Sequence, residues 1–204
     1  MHPLLPVFLS AADGVFPAVD GAVTYVSPLE SGLEAVVSFS GHAFVASRLA
    51  ESEFADLEPD GYGTVLHPKV LLRMAGDSGA VGIIDATLVT RGTGGGSLEE
   101  RTDLDDHPRV RYARSIRQEI RVYGDESGLI TLGKGLAGRT EMSIETFGNG
   151  DRRGRELIDE AIALIPTGEP LFAAVSPGHA RSLRAFLSRG FVPIGSEVIV
   201  RPAG

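Results

Sequence analysis

The sequence predicts a mixed α/β fold: a central, mostly antiparallel sheet flanked by helices, with an N-terminal α/β lobe attached. Three observations carry this. Short apolar runs alternate with stretches of helical period along the 204 residues. Clusters of Gly, Pro, Ser and Asp separate them. The C-terminal half reads in the order helix, three strands, helix, strand, helix, strand, with parallel pairing expected only between its third and fourth strands.

Residues 1–34 are rich in Pro and Gly and read as loops around one short strand, Val23 to Val26. Ala35 to Phe39 and His42 to Ala46 flank Ser40-Gly41, a hairpin pattern. His67-Pro68 opens a short helix through Met74, and Gly76 ends it. Val81 to Val89 reads as one buried strand. The run Gly92-Thr93-Gly94-Gly95-Gly96-Ser97 favours neither helix nor strand and reads as a linker between lobes 1–97 and 98–204.

In the second lobe, Asp106 is placed to cap a helix that has Pro108 in its first turn and runs to about Arg117. Three strands follow: Gln118 to Tyr123, Leu129 to Gly135 and Arg139 to Phe147. On the third, Glu141, Ser143 and Glu145 share one face and Met142 and Ile144 the other. The helix from Asp151 to Ile165 aligns Leu157, Ile158, Ala161, Ile162 and Ile165. Leu171 to Val175 is apolar throughout, as at a sheet centre. A helix from His179 to Arg189 stops at Gly190, and Val192 to Val200 is the last strand.

Composition removes several functions. The absence of cysteine excludes disulfides, a thiol nucleophile and thiolate metal sites. No apolar run approaches the length of a membrane-spanning helix. The start, MHPLLPVFLS, lacks a basic stretch and a cleavage site, so a cytoplasmic protein without a signal peptide is expected. The net charge of −8 opposes nucleic-acid binding. Residues 1–100 hold four basic and thirteen acidic side chains, a balance of −9, whereas residues 149–204 hold seven and six. The second half is therefore the better host for an anion.

Other chemistry finds no support. His42, His67, His107 and His179 are scattered without metal-ligand spacing, so no metal is expected. In Asp105-Asp106-His107 the helix cap already accounts for Asp106. There is no Gly-x-Ser-x-Gly elbow, no phosphate-loop motif and no dinucleotide fingerprint.

Two segments stand out. Asn149-Gly150-Asp151-Arg152-Arg153-Gly154-Arg155-Glu156-Leu157-Ile158 leads a strand into a helix N-terminus, where unpaired N–H groups and arginines favour phosphate. The alternative is an ordinary turn with a solvated basic patch. The other segment is Ser176-Pro177-Gly178-His179-Ala180-Arg181-Ser182-Leu183-Arg184-Ala185-Phe186-Leu187-Ser188-Arg189-Gly190-Phe191. With the element order, these segments resemble the GNAT superfamily of N-acetyltransferases, over about residues 104–204. The first lies where that family has a Gln/Arg-x-x-Gly-x-Gly/Ala loop cradling the coenzyme A pyrophosphate. The second is similar to its Asn-x-x-Ala-x-x-x-Tyr-x-x-x-Gly-Phe segment.

The resemblance implies a GNAT-like sheet and acetyl-CoA as co-substrate, with transfer of the acetyl group to an amine. It implies coenzyme contacts from Ser143, Glu145 and Thr146 along the strand. It implies further contacts from Asn149, Gly150, Asp151, Arg152, Arg153, Gly154 and Arg155 in the loop, and from His179, Arg181 and Phe186 in the second segment. An amine must lose a proton before it attacks, and Glu141 and Glu145 are the candidate carboxylates; two solvent-facing side chains are the alternative. Asn149 stands in the Gln/Arg position, Arg152 at a usual glycine, and His179 in the Asn position. Phe186 stands where many members have a proton-donating tyrosine. Tyr112 is the candidate replacement, with Tyr123 next. Either such a group acts, or water does, or the lobe only binds. The expected partner is a small-molecule or peptide amine, drawn as a cation to the acidic half, with neither nucleic acid nor membrane; a homodimer is the assembly considered. The second function considered is a non-catalytic acyl-CoA-binding or protein-interaction module.

Overall fold

A computed structural model describes residues 1–30, 32–148 and 151–203, with the backbone alone for Asp151. The chain is mixed α/β and mostly antiparallel. It forms two compact units, Met1–Thr87 with Ile194–Gly204, and Leu88–Pro193.

The first unit opens with α1 (Leu4–Ala12), where loops were expected. The prolines explain the difference. Pro3 is the N-cap and Pro6 lies in the first turn, where a missing N–H breaks no bond. Strands β1 (Val23–Val26), β2 (Glu34–Phe39) and β3 (His42–Ala46) follow. The β2–β3 hairpin is antiparallel, and β1 lies parallel to β3. After a 3₁₀ turn at Glu51–Leu57 comes α2 (Pro68–Ala75), whose first turn is capped by His67 accepting the Lys69 N–H at Nδ1. The expected strand 81–89 is two strands, β4 (Ala80–Val81) and β5 (Asp85–Arg91). They part near Gly82, whose Cβ would stand 2.7 Å from the Ile199 carbonyl oxygen. The last strand, β10 (Val192–Arg201), pairs antiparallel with β2 and β4. Val36, Val45, Phe54, Val70, Met74, Val198 and Val200 form this unit's core.

The second unit contains α3 (Pro108–Ile116), β6 (Gln118–Asp125), β7 (Gly128–Lys134), β8 (Thr140–Thr146), α4 (Asp151–Leu164), β9 (Pro170–Val175) and α5 (Ala180–Leu187). Its strands lie in the order β5-β9-β8-β7-β6. The β6–β7 and β7–β8 pairs are antiparallel and β8–β9 is parallel. The cap of α3 is His107, whose Nδ1 accepts the Arg109 N–H, and not Asp106. Helix α4 buries Leu157, Ile158, Ala161 and Ile162 of the predicted set, and Ile165, just past its end, is buried as well.

The units do not divide at the glycine run. That run belongs to the second unit and lies against the C-terminal end of α4. Gly94 and Gly96 donate to the carbonyls of Ile165 and Ala163, and Gly92 to that of Glu169. A Cβ on Gly92 would come within 2.5 Å of the Ile165 and Pro166 oxygens. Close backbone approach, not flexibility, accounts for Gly92 and Gly96. The first unit has twelve acidic and four basic side chains, the whole net charge of −8; the second has fifteen of each.

Candidate functional site

Strands β8 and β9 share a single registered pair, Glu141 opposite Phe172. Beyond it, a cleft of about 630 Å³ opens beside the C-terminal half of β8. The first turn of α4 and one face of α5 form its other walls, and Arg109 of α3 reaches in. On α5 the lining residues Arg181, Arg184, Ala185 and Ser188 follow the i, i+3, i+4, i+7 pattern of one helical face.

The lining is strongly cationic. Among the described residues, Arg109, Arg155, Arg181 and Arg184 face it, against one carboxylate, Glu145. Arg155 and Arg184 have no ion pair among the described residues. Arg109 donates to Glu145 at 3.2 Å. Gly154 lies on the cleft, where its missing side chain leaves room: a Cβ there would only graze Thr146 Cγ2 at 3.8 Å and Ile144 Cδ1 at 4.0 Å. Guanidinium groups, a fourteen-residue helix presenting its N-terminus and a bare glycine together suit a phosphorylated ligand.

The sequence-derived candidates divide. Glu145, Thr146, Gly154, Arg155, His179 and Arg181 all line the cleft. Arg152 and Arg153 do not. Arg152 pairs with Glu156 one turn on, and Arg153 is held by Asp125, Glu156 and Glu160. Those arginines hold the Glu156 carboxyl below the usual range, Arg152 first. Asn149, Gly150 and the Asp151 side chain lie outside the described residues.

The Ser143 side chain is not part of the lining. Its hydroxyl pairs with Thr131 Oγ1 at 2.7 Å and accepts from Arg117. Phe186 is 3% exposed and packs edge-on against Phe191, with ring centroids 5.0 Å apart, so it is a core residue and not a ligand contact. Tyr112, 58% exposed on α3, is not part of the lining. Tyr123 is buried along a separate groove beside β6 and also supplies no hydroxyl to the cleft.

Glu141 is a structural group. Its carboxylate is buried between Arg117, at 2.6 Å, and Arg139, at 3.0 Å. Burial pushes its pKa up, but the Arg117 and Arg139 guanidiniums more than reverse this, so it lies below the usual carboxylate range. A carboxylate fixed in this way accepts no proton from an incoming amine. Sequence reading missed Arg109 and Arg184. The spacing of Arg184 from Arg181 was visible; Arg109 needed the α3–β8 contact.

Among the described residues, no three His, Asp or Glu side chains gather as metal ligands, and no helix is long and apolar enough to cross a membrane. The sequence matches no protein-family model and no curated protein.

Proposed function

We propose that the second unit binds a coenzyme A thioester in the cleft beside β8, and that the protein is an acetyl-CoA-dependent N-acetyltransferase. The observation that carries this reading is the cleft itself. It opens past the one β8–β9 pair, at the start of α4, with four arginines on its walls. The order of elements through Leu88–Pro193 adds to it. In this reading Arg155 and Arg184 bind phosphate oxygens, and the bare Gly154 lets the ligand approach the α4 backbone.

Glu145 is the carboxylate suited to deprotonate the acceptor ammonium, oriented by the Arg109 guanidinium. The freed amine lone pair attacks the thioester carbonyl; the C–N bond forms, the C–S bond breaks, and the nitrogen gives up its second proton to water. The departing thiolate takes a proton from water or from His179, the other titratable side chain of the lining besides arginine.

Burial of Phe186 favours a second reading, an acyl-CoA-binding module without turnover. No tyrosine hydroxyl reaches the cleft among the described residues. Two measurements separate the readings. Coenzyme A and acetyl-CoA at millimolar concentration should raise the melting temperature, because a ligand of the folded state alone stabilises it. Acetyl-CoA with a panel of primary amines should then release free thiol. A thermal shift without thiol release supports the binding module, and no shift removes both readings.

A further inference from the structure

The first unit carries an exposed apolar feature that burial does not explain. Gly21, Gly41 and Gly61 meet backbone to backbone: Gly21 N–H donates to Gly41 O at 2.9 Å, and Gly61 N–H to Gly21 O at 2.8 Å. Side chains rest on this crossing. A Cβ on Gly21 would lie 2.7 Å from Tyr62 Cε2, and one on Gly41 2.5 Å from Val19 Cγ1 and 3.2 Å from Tyr62 Cε1. Gly21 and Gly41 thus leave room for Tyr62 and Val19, and Gly61 for the Ala22 and Gly41 carbonyls, yet Tyr62 and Val19 stay 68% and 69% exposed. Glycine at such positions raises the entropy lost on folding. Little apolar burial is gained in return.

The surroundings are acidic and fixed. Asp60 Oδ1 accepts the N–H groups of Tyr62 and Thr64 and so sets the turn that carries the ring. Asp20, next to Val19, accepts from Ala22 N–H and pairs with His42 Nδ1 at 2.8 Å; His42 Nε2 in turn meets Thr24 Oγ1 at 3.0 Å. Backbone N–H donors, with His42 helping at Asp20, hold both carboxyls below the usual range, so both are anionic near neutrality. The unit around them carries the full −8.

We propose that the Val19–Tyr62 surface docks a basic polypeptide segment that places an arginine or lysine beside an apolar side chain. The Tyr62 ring presents a face to the cation. Val19 takes the neighbouring apolar group, and Asp20 and Asp60 complement the charge. An anionic surface such as nucleic acid or an acidic lipid headgroup is repelled from the same place. This assignment concerns the first unit by itself and stands whether or not the second unit binds coenzyme A.

The test uses the full chain and a fluorescein-labelled decapeptide of alternating arginine and leucine, with a glutamate-for-arginine counterpart, followed by fluorescence anisotropy. The basic peptide should bind and the acidic one should not. Tyr62→Ser and Val19→Ser should each weaken binding about tenfold while leaving net charge unchanged. Leu72→Ser, which removes an exposed apolar side chain from α2, should have no effect. Absence of binding, equal binding of both peptides, or undiminished binding by either patch variant that melts like the wild type would overturn the proposal.

Discussion

Glu141 and Phe172 oppose each other in the one registered β8–β9 pair, and both hold Arg139. Its guanidinium lies 5.2 Å from the Phe172 ring centroid and donates to Glu141 at 3.0 and 3.2 Å. Arg117 closes the other side of the same carboxylate. A buried ionic cluster therefore pins the point from which the cleft opens.

Removing its anion should unfold the second unit more readily. Glu141→Ala leaves Arg117 and Arg139 buried without their counter-charge, which costs about 3–5 kcal/mol. The urea midpoint measures the loss. Glu141→Gln keeps the shape and should recover only part of it. The pH dependence has a definite sign. The folded carboxyl titrates below its ordinary 4.5, so its contribution is complete above that value and is lost as pH falls through the folded pKa. The Gln variant should therefore lose less stability than the wild type between about pH 5 and pH 3.

Gly154→Ala should separate folding from binding. A helical Gly→Ala change adds up to about 1 kcal/mol. The new Cβ meets Thr146 Cγ2 at an ordinary 3.8 Å, so nothing in the protein resists it. The melting temperature should rise while the shift produced by coenzyme A shrinks. Gly154→Asp adds negative charge and should abolish that shift. An undiminished coenzyme A shift in both variants would remove the α4 turn from the site.

The arginines should divide into two groups. Arg155→Gln and Arg184→Gln each remove a cleft cation, and a charge-assisted hydrogen bond is worth about 1.5–3 kcal/mol. Each should weaken coenzyme A binding tenfold or more by calorimetry. Arg152→Gln removes only the exposed pair with Glu156 and should leave affinity within about twofold. Equal losses in all three variants would point to a diffuse field in place of a built site.

The proton-handling groups give a sharper contrast. Glu145→Gln should eliminate thiol release while coenzyme A still raises the melting temperature. Phe186→Tyr should not increase turnover, although it writes the tyrosine of the resembled motif. The ring is in the core, against Phe191, so the hydroxyl would be buried without an assigned partner at about 1–3 kcal/mol. A gain in turnover from Phe186→Tyr would mean the ring reaches the cleft.

The second unit was more legible than the first because its signals are local. The strands alternate on a period of two, α4 carries an unbroken apolar stripe, and turn residues stand at each end. The basic α4 start and α5 could be placed for the same reason. What a side chain does once the elements pack is a different matter. Glu141 and Glu145 lie four residues apart on one strand face and look alike in sequence. One is closed between two arginines and the other opens on the cleft, because Arg117 and Arg139 converge on the first and Arg109 alone on the second. Strand β10 was found but not its partners: its pairing with β2 joins residues more than 150 positions apart, beyond the reach of local pattern.

The glycine run illustrates this limit most plainly and is open to a direct test. A flexible linker would gain stability from Gly→Ala, because alanine restricts the unfolded chain. At Gly92 the opposite should hold. The added Cβ would meet two carbonyl oxygens at 2.5 Å, both backbone atoms at the end of α4 that cannot swing aside. A loss of about 2–4 kcal/mol is expected, in the range of other overpacked or strained sites. Gly95 provides the internal comparison. It has open space around its Cβ position but φ of +81°, so alanine there meets only the left-handed backbone penalty, about 1–2 kcal/mol. Urea unfolding of the two variants should rank Gly92→Ala as the more damaging. The reverse order would mean that the run is a tether and that its contacts with α4 contribute little.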